Sequence, residues 1–275
     1  MAVRHSILSL GFLVLWASCS TGNGHANFEL KQIPGTIVFE SEKDWASTVI
    51  DCRFRLLNNV WNKQATSGRY RQKIFVSDDN GKKIFGWAWK WRDSTSPAAA
   101  PEVQVGFSPW NGEAAPDSGF PFLAGSKKFV VDYDISLTAS GSYNLAFEFW
   151  AVSAVPPSKD TITHEVMIWI ASENLASAGV EVGKMTVDGH TFGINMRKNH
   201  GDASGMYGNN KWTYMSLIAE NSILHGPLDI GQIIARLIEQ GHLTTTLYIA
   251  NLELADEVQR GTGTTIVRNY TVQIE

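Results

Sequence analysis

Three segments of this sequence set carboxylates into runs that otherwise read as apolar, strand-forming chain. THEVMIWIA (163–171) begins its run with Glu165, YNLAFEFWAV (143–152) holds Glu148, and LELADEV (252–258) holds Glu253 and Glu257. A lone carboxylate withdrawn from water costs several kcal/mol, so acids in such places need a cleft, a partner or a task. Successive side chains of a strand point to opposite faces. Glu165, Met167 and Trp169 therefore share one face, and Val166, Ile168 and Ile170 form another with the composition of a core. Leu145, Phe147 and Phe149 likewise oppose Asn144, Ala146, Glu148 and Trp150, while GWAWKW (86–91) puts Trp87, Trp89 and Trp91 on a single face. Indoles beside acids are what a carbohydrate cleft requires: flat rings stack on the apolar faces of pyranoses and polar groups bond the hydroxyls. For any one tryptophan, core packing is the commoner role; the combination is what points to a sugar. Glu253 alone reads as a solvated or lightly paired acid. Glu257 joins the Asn251 and Glu253 face if the pleat continues.

The elements that must position these residues are mostly strands. From Thr36 onward, runs rich in Val, Ile, Phe, Tyr, Trp and Thr alternate with turn clusters such as SDDNGKK (77–83), NGEAAPDSG (111–119) and KNHGDASG (198–205). That spacing predicts an antiparallel sandwich or barrel. No turn cluster is long enough for an interdomain linker, so residues 27–275 are expected to form one domain. One segment has a helical period: GPLDIGQIIARLIEQG (226–241) lines up Ile230, Ile233, Ile234, Leu237 and Ile238, with Asp229 placed to cap the helix and Gly241 to end it. Its apolar stripe suits the outer face of a sheet.

Composition and termini narrow the function classes. A formal net charge of −4, with Lys and Arg scattered, offers no field for a polyanion, so nucleic acid is not an expected partner. Residues 1–26 have the layout of a secretory signal peptide: Arg4, an apolar stretch from Ile7 to Ala17, then small and polar residues. That stretch is shorter than the roughly 20 apolar residues of a spanning helix, so no transmembrane segment is expected. Cleavage before Cys19, which would leave a lipidated cysteine, and cleavage after Ala26 both fit the pattern. With two cysteines in the chain a disulfide framework is excluded, and Cys52 is expected to lack an intramolecular partner. The histidines form no compact ligand pattern, His164 should point away from the Glu165 face, and no metal or organic cofactor is expected.

Read in order, NNVWN (58–62), GWAWKW (86–91), DSGFP (117–121), HEVMIWI (164–170) and DEVQRGTG (256–263) resemble the motifs of glycoside hydrolase family 12, a family of endoglucanases and xyloglucanases, and above all its bacterial xyloglucan-active branch. The likeness runs from about Leu57 to Ile274. It implies an all-β jelly roll of two curved antiparallel sheets, with a concave cleft and one helix on the convex side. EVMIW resembles the family's nucleophile strand, which implies that Glu165 is the nucleophile; DEVQRGTG resembles the segment of the general acid/base, which implies that role for Glu257. NNVW resembles an element that holds sugar in the negative subsites, here through Asn59 and Trp61. Trp89, Trp150 and Met167 join them as candidate substrate contacts by their faces. Two departures stand out. Glu148 occupies the place of an aspartate that bonds the nucleophile, and SENLASAGVEVG (172–183) lacks the family's Gly-Pro element.

The resemblance implies a secreted, monomeric endo-β-1,4-glucanase acting on xyloglucan, mixed-linkage glucan or amorphous cellulose with retention of configuration. Retention needs two carboxyls about 5–5.5 Å apart: one attacks the anomeric carbon while the other protonates the leaving oxygen and then activates water. Glu165 would be ionised and Glu257 protonated when substrate arrives, and a protonated Glu148 would donate a hydrogen bond that holds Glu165 in place. A jelly-roll xylanase and a non-catalytic carbohydrate-binding protein are the alternatives, although a pure binder has no reason to keep both Glu165 and Glu257.

Overall fold

A computed structural model describes residues 33–110, 112–113, 118–205 and 208–275. The expected signal peptide with both cleavage positions, Cys19, and Asp117 of DSGFP lie outside the described residues. Strands β1 (Thr36–Ser41), β2 (Ser47–Ile50), β3 (Phe54–Leu57), β4 (Arg71–Asp79), β5 (Lys82–Trp91) and β6 (Glu102–Ser108) precede two short ones, β7 (Gly112–Glu113) and β8 (Phe122–Leu123). A 24-residue strand, β9 (Phe129–Val152), leads to β10 (Ile162–Glu173), β11 (Val180–Val187), β12 (His190–His200) and β13 (Trp212–Ala219). The short β14 (Leu228–Asp229), helix α1 (Ile230–Glu239) and the short β15 (Tyr248–Ile249) then lead to a second 24-residue strand, β16 (Asn251–Ile274).

Hydrogen bonds join these strands in the order β1-β4-β5-β16-β9-β10-β13-β12-β11, and β6 attaches to the first part of β16. Because β9 and β16 pair over nearly their whole length, the layers of the expected jelly roll are one continuous ladder rolled on itself. Among the described strands β10 and β13 pair in parallel, since the β11–β12 hairpin lies outside β13. Gly141 and Gly261 face each other across the long ladder with φ of 137° and 112°. A Cβ on either would lie 2.2 or 2.0 Å from a carbonyl oxygen of the partner strand, so only glycine fits this crossing. Bulges after Val258 and Val267 switch the parity of β16: Leu252, Leu254 and Val258 point into the core before the first, Val267 between them, and Tyr270 and Val272 after the second.

One buried cluster unites Val166, Ile168 and Ile170 with Leu145, Phe147 and Phe149, as the alternation predicts. Helix α1 adds Ile230, Ile233, Ile234 and Leu237 to it; the Asp229 carboxylate accepts the Gln232 backbone N–H at 2.9 Å, and Gly241 follows the helix with φ of 72°. Cys52 is exposed and free.

The GWAWKW tryptophans do share a face, but it is the core face, so the expectation that Trp89 is a sugar platform is corrected. Trp87 and Trp89 are fully buried, and Trp89 lies against Gly263, where a Cβ would come within 2.4 Å of the indole. Their N–H groups donate to Oδ2 of Asp256 at 2.8 and 2.9 Å, and the same oxygen accepts the Thr265 hydroxyl at 2.7 Å. Trp91 donates to Gln72 Oε1 at 3.0 Å, and Gln72 Nε2 donates to the Asn59 carbonyl at 2.8 Å. These indoles act as struts behind the segments that carry Glu257 and Asn59.

Burial pushes the Asp256 carboxyl up to about 6, against the opposing bonds from Thr265, Trp89 and Trp87. The folded chain therefore binds this proton more tightly than the unfolded chain does. Its stabilising effect is complete below the ordinary aspartate range, near pH 4, and is lost as pH rises through about 6. Asp256→Asn cannot lose a proton there. Its stability relative to the parent, from urea unfolding, should improve by about 1–3 kcal/mol between pH 4 and pH 7.

Candidate active site

Cross-strand register lays out the floor of a cleft. The Cα pairs Arg55–Gln104, Gln104–Glu253, Glu253–Glu148, Glu148–Met167 and Met167–Ser216 form one row across β3, β6, β16, β9, β10 and β13. Glu165 is displaced along β10 from this row, opposite Trp150 and Tyr214, and Glu257 is displaced along β16, opposite Asn144. Over these strands opens a cleft of about 320 Å³, and Glu102, Glu148, Glu165, Glu253 and Glu257 all line it.

Asn59 and Trp61 form part of one wall. In the NNVW turn Asn58 and Val60 are buried, and the Asn58 amide donates to the Lys43 carbonyl at 2.9 Å. The residues between and after them therefore face the cleft. Asn59 Oδ1 accepts the Trp61 backbone N–H at 2.9 Å and Asn59 Nδ2 donates to Glu102 Oε1 at 2.9 Å. The opposite wall includes Leu175, Ala176 and Ala178, so the loop without a Gly-Pro element still reaches the cleft; its Ser177 hydroxyl is bonded to that of Ser216 at 2.7 Å. Arg197, His200 and Asp202 extend this wall. Trp110, Trp150 and Trp212 also line the cleft and pack together, with ring centroids 5.2 to 5.7 Å apart.

Trp150 thus lies where a substrate contact needs to be, but Met167 does not. It is fully buried with Ala146, Trp169 and Tyr214, and it is not among the residues lining the cleft. The expectation of a direct sugar contact at Met167 is corrected: sharing a face with Glu165 does not expose a side chain that aromatic neighbours cover. His164 is half-buried beside the Thr163 hydroxyl, away from the cleft lining, and burial lowers its pKa.

The carboxyls differ in their partners. Glu165 is buried and its Oε2 accepts the Trp212 indole N–H at 2.5 Å. Burial pushes Glu165 up to about 8, the negative charge of Glu257 adds to this, and the Trp212 bond opposes it. Glu257 is half-buried; burial raises it too, and the Asn144 amide, donating to Oε2 at 2.7 Å, opposes the rise. Glu148 stands well above the usual carboxylate range because of burial and then the charges of Glu165, Glu253 and Glu257. The floor therefore holds protons at a pH where isolated carboxyls would not, as acid catalysis requires. Burial works against ionisation of Glu165, and the Trp212 bond works for it.

Glu253, which alone reads as a solvated acid, is instead buried and accepts amide N–H groups from Gln104 at 3.1 Å and Asn251 at 2.7 Å. Glu102 and Trp212 carry no motif. Their signal is alternation: Glu102 and Gln104 oppose Val103 and Val105, and Trp212, Tyr214 and Ser216 oppose Met215 and Leu217.

A sequence profile of glycosyl hydrolase family 12 matches residues 52–275. The chain belongs to glycoside hydrolase family 12. Endoglucanase S of Pectobacterium parmentieri is 25% identical to this family 12 enzyme over 227 residues, 81% of this chain and 82% of that protein. A native family 12 xyloglucanase from Bacillus licheniformis superposes with a TM-score of 0.76 at 26% identity, over 86% of this chain and 100% of the other. Endoglucanase cel12A from Rhodothermus marinus, at 19% identity, shares the fold, with a TM-score of 0.70 over 86% and 99% of the two chains.

Trp212→Phe keeps an aromatic ring but removes the N–H that favours ionised Glu165. The Glu165 pKa should rise further, and if Glu165 is the ionised nucleophile that the family resemblance implies, the acidic limb of the pH–activity profile should move to higher pH by about one unit, the size of a hydrogen bond to a charged group. Initial rates of glucan hydrolysis across pH 4–9 measure this; an unmoved limb would exclude a role for Trp212 in setting the charge of Glu165.

Proposed function

We propose that this family 12 enzyme is a secreted endo-β-1,4-glucanase that cleaves xyloglucan, mixed-linkage glucan or amorphous cellulose by double displacement with retention. The observation that carries this reading is that Glu165 and Glu257 line one cleft from the two strands flanking β9, with Glu148 on β9 itself. In the first step Glu165 attacks the anomeric carbon while Glu257 passes its proton to the leaving glycosidic oxygen. In the second, Glu257 takes a proton from water, and the resulting hydroxide displaces Glu165. Asn144 fixes the Glu257 carboxyl that must switch roles. Glu148 supplies a hydrogen bond to Glu165 when protonated. Trp61 offers a ring face to the glucan and Asn59 a polar contact, while the buried Trp150 packs with Trp110 and Trp212 in the cleft lining.

Export is supported by the layout of residues 1–26. Among the described residues no helix is long and apolar enough to cross a membrane. The enzyme is proposed to act as a monomer. The curated and structural relatives act on glucans by name, which favours a glucanase over a xylanase.

Glu165→Gln should lower the release of reducing ends by about 10³-fold or more while oligosaccharide binding persists. Proton NMR of the parent reaction should show the β-anomer first, and initial α-anomer would exclude retention. Rates on xyloglucan, mixed-linkage glucan and carboxymethylcellulose rank the substrates, and absence of hydrolysis on all three would exclude the glucanase assignment.

A further inference from the structure

The cleft floor contains more acids than double displacement uses. Glu165 and Glu257 react and Glu148 supports Glu165, which leaves Glu102 and Glu253 without a task. Glu253 is held in a way that Glu148 is not. Its Oε1 accepts Gln104 Nε2 at 3.1 Å and Asn251 Nδ2 at 2.7 Å. Neither amide is free to turn over. Gln104 Oε1 accepts both Nε and Nη2 of Arg55, at 3.0 and 2.6 Å, and Asn251 Oδ1 accepts the Trp150 backbone N–H at 3.2 Å. The guanidinium thus fixes the Gln104 amide with its donor end towards the acids, where Nε2 is shared between Glu253 and Glu102 Oε1 at 3.1 Å each, and the Asn251 amide adds a second donor that calls for an acceptor at Glu253. Glu148, the cross-strand partner of Glu253 on β9, accepts no side-chain amide among the described residues.

We propose that Glu253 is a positioning residue: held as a carboxylate by the Gln104 and Asn251 amides, it keeps a proton on Glu148, whose hydrogen bond to Glu165 then leaves the nucleophile ionised. The proposal rests on the roles assigned above to Glu165 and Glu148. Every charged group facing Glu253 fits it: Arg55 on β3 and Glu102 on β6 to one side, Glu148 on β9 and Glu165 on β10 to the other, and Glu257 further along β16. Burial holds Glu253 above the ordinary carboxylate range, and the hydrogen bonds with Glu102, Ser108 and Asn251 and the Arg55 charge oppose that rise. Burial lifts Glu102 well above the carboxylate range, and the charge of Glu253 lifts it further; Glu148 is lifted by burial and by the charges of Glu165 and Glu253. Glu253 thus lies between two acids that burial, and then neighbouring charge including its own, push towards the protonated form.

The test is a titration of the full enzyme labelled with 13Cδ-glutamate, in which the Glu148 carboxyl signal is assigned by its loss in Glu148→Gln. Glu253→Gln keeps the size of the side chain and removes the charge; Glu253→Asp keeps the charge and shortens the reach. The Glu148 midpoint should fall by about one pH unit in Glu253→Gln, as expected for one charge on a neighbouring strand at the edge of solvent, and should stay nearer the parent in Glu253→Asp. The alkaline limb of hydrolysis should move down with it. An unchanged midpoint in Glu253→Gln, or a larger fall in Glu253→Asp, overturns the proposal, because a purely structural residue tolerates the isosteric amide better. Should Glu253→Gln fail to fold, Gln104→Met removes one clamp, makes Glu253 easier to protonate and should also lower the Glu148 midpoint; no change there overturns the proposal equally. A parent enzyme without hydrolytic activity would sink the glucanase reading while leaving the titration valid.

Discussion

Three neighbouring strands, β16, β9 and β10, must each keep carboxyl groups on one side and a hydrocarbon core on the other, and the remaining architecture serves that separation. The sharpest case is the Asp256–Glu257 dipeptide. Asp256 faces the core and gathers the N–H groups of Trp87 and Trp89 and the Thr265 hydroxyl; Glu257 faces the cleft and takes the Asn144 amide. A slip of one residue would exchange the two acids and leave each among the wrong partners. Pairing along nearly all of β9 holds the register, the glycine crossing at Gly141 and Gly261 lets the strands approach there, and the parity changes in β16 begin only after Val258.

Electrostatics and packing meet at the same place. Acids in a desolvated cleft repel one another and favour protonation, which opposes folding at neutral pH and yet stores the protons that glycoside chemistry consumes. Oriented amides and an indole N–H decide where charge is tolerated: Trp212 at Glu165, Asn144 at Glu257, Gln104 and Asn251 at Glu253. Arg55 supplies positive charge behind the floor, through an amide and outside the cleft lining.

Much of this was legible in the chain because period-two alternation states which residues share a face. It paired Glu165 with the polar side of β10, placed Glu148 and Trp150 together, and carried Glu257 onto the face of Glu253. Alternation does not say what covers a face. Trp89 was misplaced because a row of indoles suits a core as well as a sugar platform, and only the Asp256 carboxylate in the next strand decides between them. Met167 failed for a related reason, since Trp169 and Tyr214 bury it. Asp256 went unread because its partners Trp89 and Trp87 lie 167 and 169 positions away, beyond any local pattern. Trp212 and Glu102 gain their meaning only from strand order, which places β13 beside β10 and β6 beside β16.

The floor of the cleft is built from laddered strands, whereas much of its opposing wall comes from connecting segments, around residues 175–178 and 201–203. Floor and wall are therefore separable in heredity. Insertions or exchanges in those connections can widen or narrow the groove for decorated chains while the acids keep their spacing, so relatives can diverge in polysaccharide preference without reinventing the chemistry. The same division marks where a designer has freedom: the rim accepts grafted loops, and the ladder beneath does not.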